Sequence, residues 1–328
     1  MTRPIRTALI GCGAIAEQGH LPALLAHPDF HVVGLCDPHV EPRARLARQV
    51  PSVRQVADYR ELLDEAEAFV LAVHPEISVA IAMDLLTHGK HVLDEKPLAN
   101  SLADAERLQA AVEASSAIYQ VGFVFRYSAF AEQLAELIGQ LGNPVSASIR
   151  IFDERLDPRD AAHRARIEGI LQHSSAITHE GSHFIDLARQ WNRTPFTSVH
   201  ATAVRTTPGL PGPNVWHANL QHADGAMLHL TIGWLLPTLP QSSVHAVGPH
   251  GWLHALPAGG AAQYHLHGQS QPHTLPQMCQ HWAGQLNHFA RAIETGRTSG
   301  ATFEDGYAAL TTTLACEAAT GILREKGP

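Results

Sequence analysis

Ten residues near the start, 7–16, read Thr-Ala-Leu-Ile-Gly-Cys-Gly-Ala-Ile-Ala and limit the possible folds more than any other stretch. Residues 7–10 are apolar and β-prone without polar alternation, the pattern of a strand buried on both faces of a parallel sheet. Gly11 and Gly13 then permit a tight turn and a close backbone approach to a ligand, and residues 14–27 have helical character. Free N–H groups and the positive dipole end at that helix start, around Ala14 and Ile15, favour an anion. In a strand-turn-helix setting the usual anion is the pyrophosphate of a dinucleotide, and Ala16 is a permitted third small residue.

A second β-prone run at 31–36 ends in Asp37, 24 positions after Gly13 (37 − 13), close to the offset of a ribose-gripping carboxylate. Such a carboxylate accepts from both ribose hydroxyls and repels a 2′-phosphate, which favours NAD over NADP. The competing reading of Asp37-Pro38 is a simple turn opening.

With 328 residues, 45 % of them hydrophobic, the chain has enough apolar surface for two domains. A net charge of −8 argues against a nucleic-acid partner. No apolar run suits a signal-peptide core or a membrane span, so a cytoplasmic protein is expected. Cys12, Cys36, Cys279 and Cys316 lack metal or disulfide spacing and read as small buried residues, and no metal is expected. Only three of the 23 cationic residues are lysines, which draws attention to each one. Lys90 and Lys326 read as surface residues; Lys96, in Asp-Glu-Lys-Pro after a strand, does not.

The fold class expected is α/β. Alternating strands and helices over 1–122 imply a doubly wound parallel sheet of Rossmann type, with the His74-Pro75 loop facing the dinucleotide at the sheet's carboxyl edge. Helices are expected over 41–50, 78–88 and 101–115. Residues 123–328 read as an α+β domain with a large, mostly antiparallel sheet: strands at 145–152, 199–204, 217–222, 226–234, 244–247 and 252–255, and helices at 161–171, 182–191, 278–295 and 304–324. The Pro/Gly-rich segments 206–214 and 257–276 read as loops.

By five segments together, the chain resembles the glucose-fructose oxidoreductase / inositol dehydrogenase (Gfo/Idh/MocA) family. These are Gly-Cys-Gly-Ala-Ile-Ala at 11–16, His-Leu-Pro-Ala-Leu at 20–24, Gly-Lys-His-Val-Leu-Asp-Glu-Lys-Pro at 89–97, Gly-Phe-Val-Phe-Arg-Tyr at 122–127 and Gly-Ser-His-Phe-Ile-Asp at 181–186. The resemblance implies a catalytic pair, Lys96 and His183, with Glu95 against the cofactor's ribose. Hydride loss from a carbinol carbon requires a base for the hydroxyl proton, and an imidazole can serve at neutral pH. Lys96 would stabilise the developing alkoxide. It also implies a homodimer or homotetramer built on the open sheet face.

Where the family often carries aspartate four residues before the catalytic histidine, this chain has His179, one helical turn away, which leaves the acid/base assignment between His179 and His183 open. Asp186 is a candidate contact of His183 or an exposed carboxylate. Arg126 is a substrate or cofactor contact or a structural ion pair. Helix 161–171, with His163, lines the substrate pocket or presents a solvated basic face. Val124 and Ser78 replace an asparagine and a histidine common in the family, so the pocket is not a standard sugar pocket. Residues 179–183 also spell HExxH, but Gly181 weakens the helix that a zinc peptidase needs.

These features point to an NAD-dependent oxidoreductase acting on a hydroxyl or carbonyl of a sugar, cyclitol or related small molecule. A redox-assisted glycosidase and a non-enzymatic NAD-binding regulator are the alternatives.

Overall fold

The computed structural model describes residues 3–321. The described residues divide into two units, one formed by residues 3–127 with 280–307, the other by 128–279 with 308–321. Residues 280–307, read from sequence as part of the second domain, therefore return to the first unit. The cause is the apolar side of one helix (Trp282–Thr295), whose Leu286, Phe289, Ala290 and Ala292 join the core around Leu9, Leu21, Leu24 and Phe30.

In the first unit six parallel strands, β1 (Ile5–Ile10), β2 (Phe30–Cys36), β3 (Arg54–Val56), β4 (Ala68–Leu71), β5 (His91–Asp94) and β6 (Tyr119–Val121), lie in the order β3-β2-β1-β4-β5-β6. Ala8, Leu9 and Ile10 are at most 3 % exposed, as a strand covered on both faces must be. The order reverses between β1 and β4, and the carboxyl ends flanking such a switch point form the ligand crevice of a doubly wound sheet. Residues 14–27 depart from a plain α-helix: a π-helical turn (Ala16–His20) precedes α1 (Leu21–Ala26). Helices α2 (Val40–Ala47), α3 (Pro75–Thr87) and α4 (Leu102–Ala114) follow; Pro75 opens α3, and the Ser101 side chain caps α4 by accepting from Asp104 N–H at 3.1 Å.

The second unit holds an eight-stranded sheet of β7 (Ser146–Phe152), β8 (Phe196–Val204), β9 (Val215–His222), β10 (Met227–Gly233), β11 (Ser243–Gly248), β12 (Gly251–Ala255), β13 (Gly260–Leu266) and β14 (Gln269–Leu275). Their order is β14-β13-β12-β11-β7-β10-β9-β8, antiparallel except for β7 beside β10. Alternate residues such as Ile149, Ala218, Leu230 and Ala246 are buried on one face, while the other face is polar and open. Its helices are α5 (Ala129–Gln140), α6 (Ala161–His173) and α7 (Ser182–Ala188). The late helices are α8 (Trp282–Thr295), in the first unit, and α9 (Phe303–Ala319).

Residues 257–276, expected to be a loop, instead form the β13–β14 hairpin across a His267-Gly268 turn with φ of 50° and 77°. Positive φ at both turn residues matches the twist of paired strands. The polar composition of β14 and its Pro272 suit an edge strand and hide it from a hydrophobic-pattern reading. Residues 206–214 do connect strands without regular structure, held by Asn214, which accepts from Thr206 N–H at 2.8 Å and donates to the Trp234 carbonyl at 2.7 Å. Cys279 is exposed, unlike the other three cysteines; burial pushes the Cys12 and Cys36 thiols up to about 12. Among the described residues, no helix is long and apolar enough to cross a membrane.

Candidate functional site

The glycine turn is fixed by its own chain. Gly11 has φ of 89°, and a Cβ there would lie 2.4 Å from the Ala72 carbonyl oxygen, so only glycine fits. Around Gly13 a Cβ would meet nothing within 4 Å, which leaves that backbone open to a ligand. Asp37 stands at the end of β2, where Oδ2 accepts from Cys12 N–H at 2.9 Å and Oδ1 from His39 N–H at 2.9 Å. Each carboxylate oxygen has a second lone pair, so both retain capacity for ribose hydroxyls. Neighbouring cations are engaged: Arg43 donates to the carbonyls of Asp37 and Val56, and Arg45 pairs with Glu17 at 3.0 Å. A turn open at Gly13 and a carboxylate fixed at the next strand end fit a nicotinamide dinucleotide.

Parallel pairing brings the other candidates to the same edge. Ala72 N–H donates to Ile10 O, Glu95 N–H to Leu71 O and Gly122 N–H to Asp94 O, so the residues after β1, β4, β5 and β6 stand side by side. His74 and Pro75 start α3 there, and Glu95-Lys96 follows β5. Glu95 is held by a residue to which the sequence pattern assigns no role. His20 Nε2 lies 2.8 Å from Glu95 Oε1, with the two side chains 1 % and 9 % exposed. Trp282 of α8 packs edge-on to His20 at 4.6 Å between ring centroids, and it covers Gly19, where a Cβ would fall 2.4 Å from the indole. Glu95 Oε2 also accepts from Lys96 N–H at 3.2 Å. The π-helical turn that presents His20 is a feature frequent at functional sites.

Beneath this edge lies Asp94, 1 % exposed, bonded to the Ser78 hydroxyl and to Tyr119 O–H at 2.9 Å. Ser78 thus serves a buried carboxyl. Burial pushes the Asp94 carboxyl up to about 7, against the two hydroxyl donors and with Glu95 adding to the rise. A carboxyl whose folded pKa is raised binds more protons folded than unfolded, so its stabilising contribution declines as pH rises toward the folded pKa. Asp94→Asn is expected to flatten the fall of the urea midpoint between pH 5 and 7.5; an identical slope in wild type and variant would contradict it.

In the second unit, a π-helical turn (Ile177–Gly181) carries His179 and runs into α7. Every residue of α7 is buried, His183 to 4 % and Asp186 to 1 % exposure. A surface histidine and an exposed carboxylate are thereby both excluded. His179 is half-buried and meets the Trp234 ring edge-on at 5.4 Å between centroids. Glu317 of α9 accepts from Thr178 O–H at 2.6 Å and from Ser175 O–H at 2.5 Å, tying down the turn. Among the described residues, no group of three or more His, Cys, Asp and Glu is placed to hold a metal ion.

Two substrate candidates are otherwise engaged. Arg126 forms an ion pair with Asp305 at 2.9 Å, the side chains 6 % and 0 % exposed, which is the structural alternative for it. His163 Nε2 lies 2.5 Å from Glu154 Oε2, Arg166 reaches Glu154 at 3.0 Å and Arg164 reaches Glu168 at 2.7 Å. The basic side of α6 is therefore neutralised by neighbouring carboxylates.

Two family models match the chain: an oxidoreductase family with NAD-binding Rossmann fold over residues 5–123, and the GFO/IDH/MocA C-terminal domain over residues 132–254. An inositol 2-dehydrogenase of Acidothermus cellulolyticus is 27 % identical over 98 % of this chain and 93 % of its own length. A putative oxidoreductase, YceM, of Salmonella typhimurium is 29 % identical over 47 % of this chain and 48 % of its own, so this chain spans about half of that relative. The solved WlbA dehydrogenase of Bordetella pertussis, in complex with NADH and UDP-GlcNAcA, shares the fold with a TM-score of 0.80 at 21 % identity, covering 98 % of this chain and 96 % of that one. The glycine turn, the Glu95-Lys96 strand end and both matched models agree: the chain belongs to the Gfo/Idh/MocA family of NAD(P)-dependent oxidoreductases.

Proposed function

We propose that this protein uses NAD to move a hydride to or from a carbon bearing a hydroxyl or carbonyl in a sugar, cyclitol or related small molecule. The observation that carries the reading is the placement of the Gly11–Gly13 turn, Asp37, His74-Pro75 and Glu95-Lys96 along one carboxyl edge of the parallel sheet. When bound, NAD supplies the hydride acceptor. Asp37 grips its adenosine ribose; Glu95, oriented by His20, takes the other ribose. Lys96 steadies the substrate oxygen as negative charge grows on it, and His183 takes the hydroxyl proton, with His179 sharing the acid/base work in place of a carboxylate. Support for His183 comes from its burial on α7: a histidine nearly closed to solvent needs a polar reason to be there. The protein works as a homodimer or homotetramer joined through the open face of the eight-stranded sheet, in the cytoplasm.

The test is a panel of sugars, cyclitols and aryl glycosides incubated with NAD, following NADH absorbance and product together. NADH formed with one polyol is the expected result; product released without NADH assigns a redox-assisted glycosidase, and NAD binding without turnover across the panel favours a regulator. Asp37→Ala is expected to raise the NAD dissociation constant roughly 10- to 100-fold for each ribose hydrogen bond lost, since a hydrogen bond to a charged acceptor contributes about 1.5–3 kcal/mol. NADP affinity should change far less. Equal loss for both dinucleotides in a binding titration would contradict the ribose assignment.

A further inference from the structure

The open face of the eight-stranded sheet has an unusual charge composition. Strand register lines up three rungs of side chains across it. The central rung carries His200 on β8, His229 on β10, His245 on β11 and His254 on β12. The flanking rungs add His217 and Arg150 on one side, His265 on the other. No Asp, Glu or Lys stands in any of the three rungs, in a chain that carries 31 acidic residues and a net charge of −8. Nearby acids at the strand ends are turned to other partners: Glu154 to His163 and Arg166, Asp224 to Asn192 and Thr194. Among the described residues, the end of α9 meets this face, beside His200 and His217, through Ala319.

We infer that this face is a self-association surface gated by pH: a second copy of the chain docks on it while its histidines are neutral and leaves when they take up protons. The inference rests on the self-association proposed above and names its control. Size permits it. Seven inter-strand gaps of about 4.8 Å and strands about 23 Å long give roughly 800 Å² a side, the area of a standard interface. Charge favours a second copy over other partners at neutral pH, because two negatively charged chains repel least where each is bare of acids, and Val247 and Trp252, 56 % and 37 % exposed, add apolar surface. Once protonated, the same face carries up to six added positive charges beside Arg150, and paired copies face each other with like charge. Close neighbours already oppose protonation. The His245 and His254 rings stack at 4.1 Å between centroids, and His245 is held below the ordinary histidine value by burial first, then by His254 and Arg150. Association buries the face further and favours the neutral imidazoles, so association is present above the histidine range and is lost as pH falls through it.

The test is sedimentation of the full chain from pH 8 to pH 5.5, with circular dichroism at each pH to confirm the fold, on wild type and on the triple variant His229→Gln, His245→Gln, His254→Gln. The wild type is expected to be oligomeric at pH 8 and to dissociate on acidification. Its dissociation constant should rise about tenfold per pH unit for each net proton taken up, and salt should lessen the effect. The triple variant should stay associated at pH 5.5. A wild type that stays associated at pH 5.5 overturns the gate and leaves the self-association reading standing. A wild type monomeric at pH 8 overturns both, and retention of that monomer on dextran sulfate at pH 6 but not pH 8 would assign the face to an acidic polymer instead. A triple variant that dissociates as the wild type does overturns the role of these histidines.

Discussion

Lys96→Ala is expected to lower kcat by roughly 10³-fold or more while NAD affinity stays within about threefold, measured by turnover and by binding titration on the same preparation. The expectation follows from where Lys96 stands and what supports it. The residue leaves β5 at the carboxyl edge of the sheet, and its N–H is anchored to the Glu95 carboxylate, which His20 holds from the other side. In the proposed reading most of the dinucleotide's hold comes from the Gly11–Gly13 turn, Asp37 and the Glu95 carboxylate, none of which the alanine removes. A compact ammonium can approach a growing alkoxide and follow it through the reaction. Lys96→Arg, with a planar fork in place of a point charge, should therefore recover little of the lost rate. Turnover preserved in Lys96→Ala would remove the lysine from the chemistry.

The largest effect on stability is expected from Arg126→Ala. Asp305 has no solvent-exposed side-chain surface, and its Oδ2 accepts from both Arg126 and Thr302 N–H, the latter at 3.3 Å. Removing the guanidinium leaves a buried carboxylate at the first turn of α9 short of its counter-charge. Breaking one side of a buried pair costs about 3–5 kcal/mol, a large share of the stability of an ordinary domain. The double variant Arg126→Met, Asp305→Asn removes both charges and should recover part of the loss. Urea unfolding of the three proteins decides the matter: a loss under about 1 kcal/mol for Arg126→Ala would show that water reaches the carboxylate.

Local patterns were legible in the sequence where physical chemistry is local. β1, the turn at Gly11 and Asp37 lie within one strand-turn-helix-strand unit, so spacing alone places them, and Ser101 marks the start of α4 by its side chain. Long-range partnerships were not. Nothing around His20 signals that its ring will meet Glu95, 75 residues on, or that Trp282 will cover it. The assignment of α8 to the first unit is set by which core its apolar side enters, and helical periodicity is blind to that. Arg126 could be written as a ligand contact only while Asp305, 179 residues away, had no known position. The β13–β14 hairpin escaped because edge strands are kept polar, so the alternation that marks a strand is faint there. Both π-helical turns escaped too, since five residues of π geometry carry no periodicity distinct from α.

Transfer of a labelled hydride tests the central claim most directly. The wild-type protein is incubated with NAD and the polyol that scores in the substrate panel, deuterated at its carbinol carbons, and the cofactor is weighed by mass spectrometry. The expected result is deuterium in the reduced nicotinamide, formed in step with the keto product and absent with Lys96→Ala. Keto product accumulating while the cofactor pool stays unlabelled would contradict hydride transfer to NAD, and with it the catalytic role of the sheet edge that carries Asp37, Glu95 and Lys96.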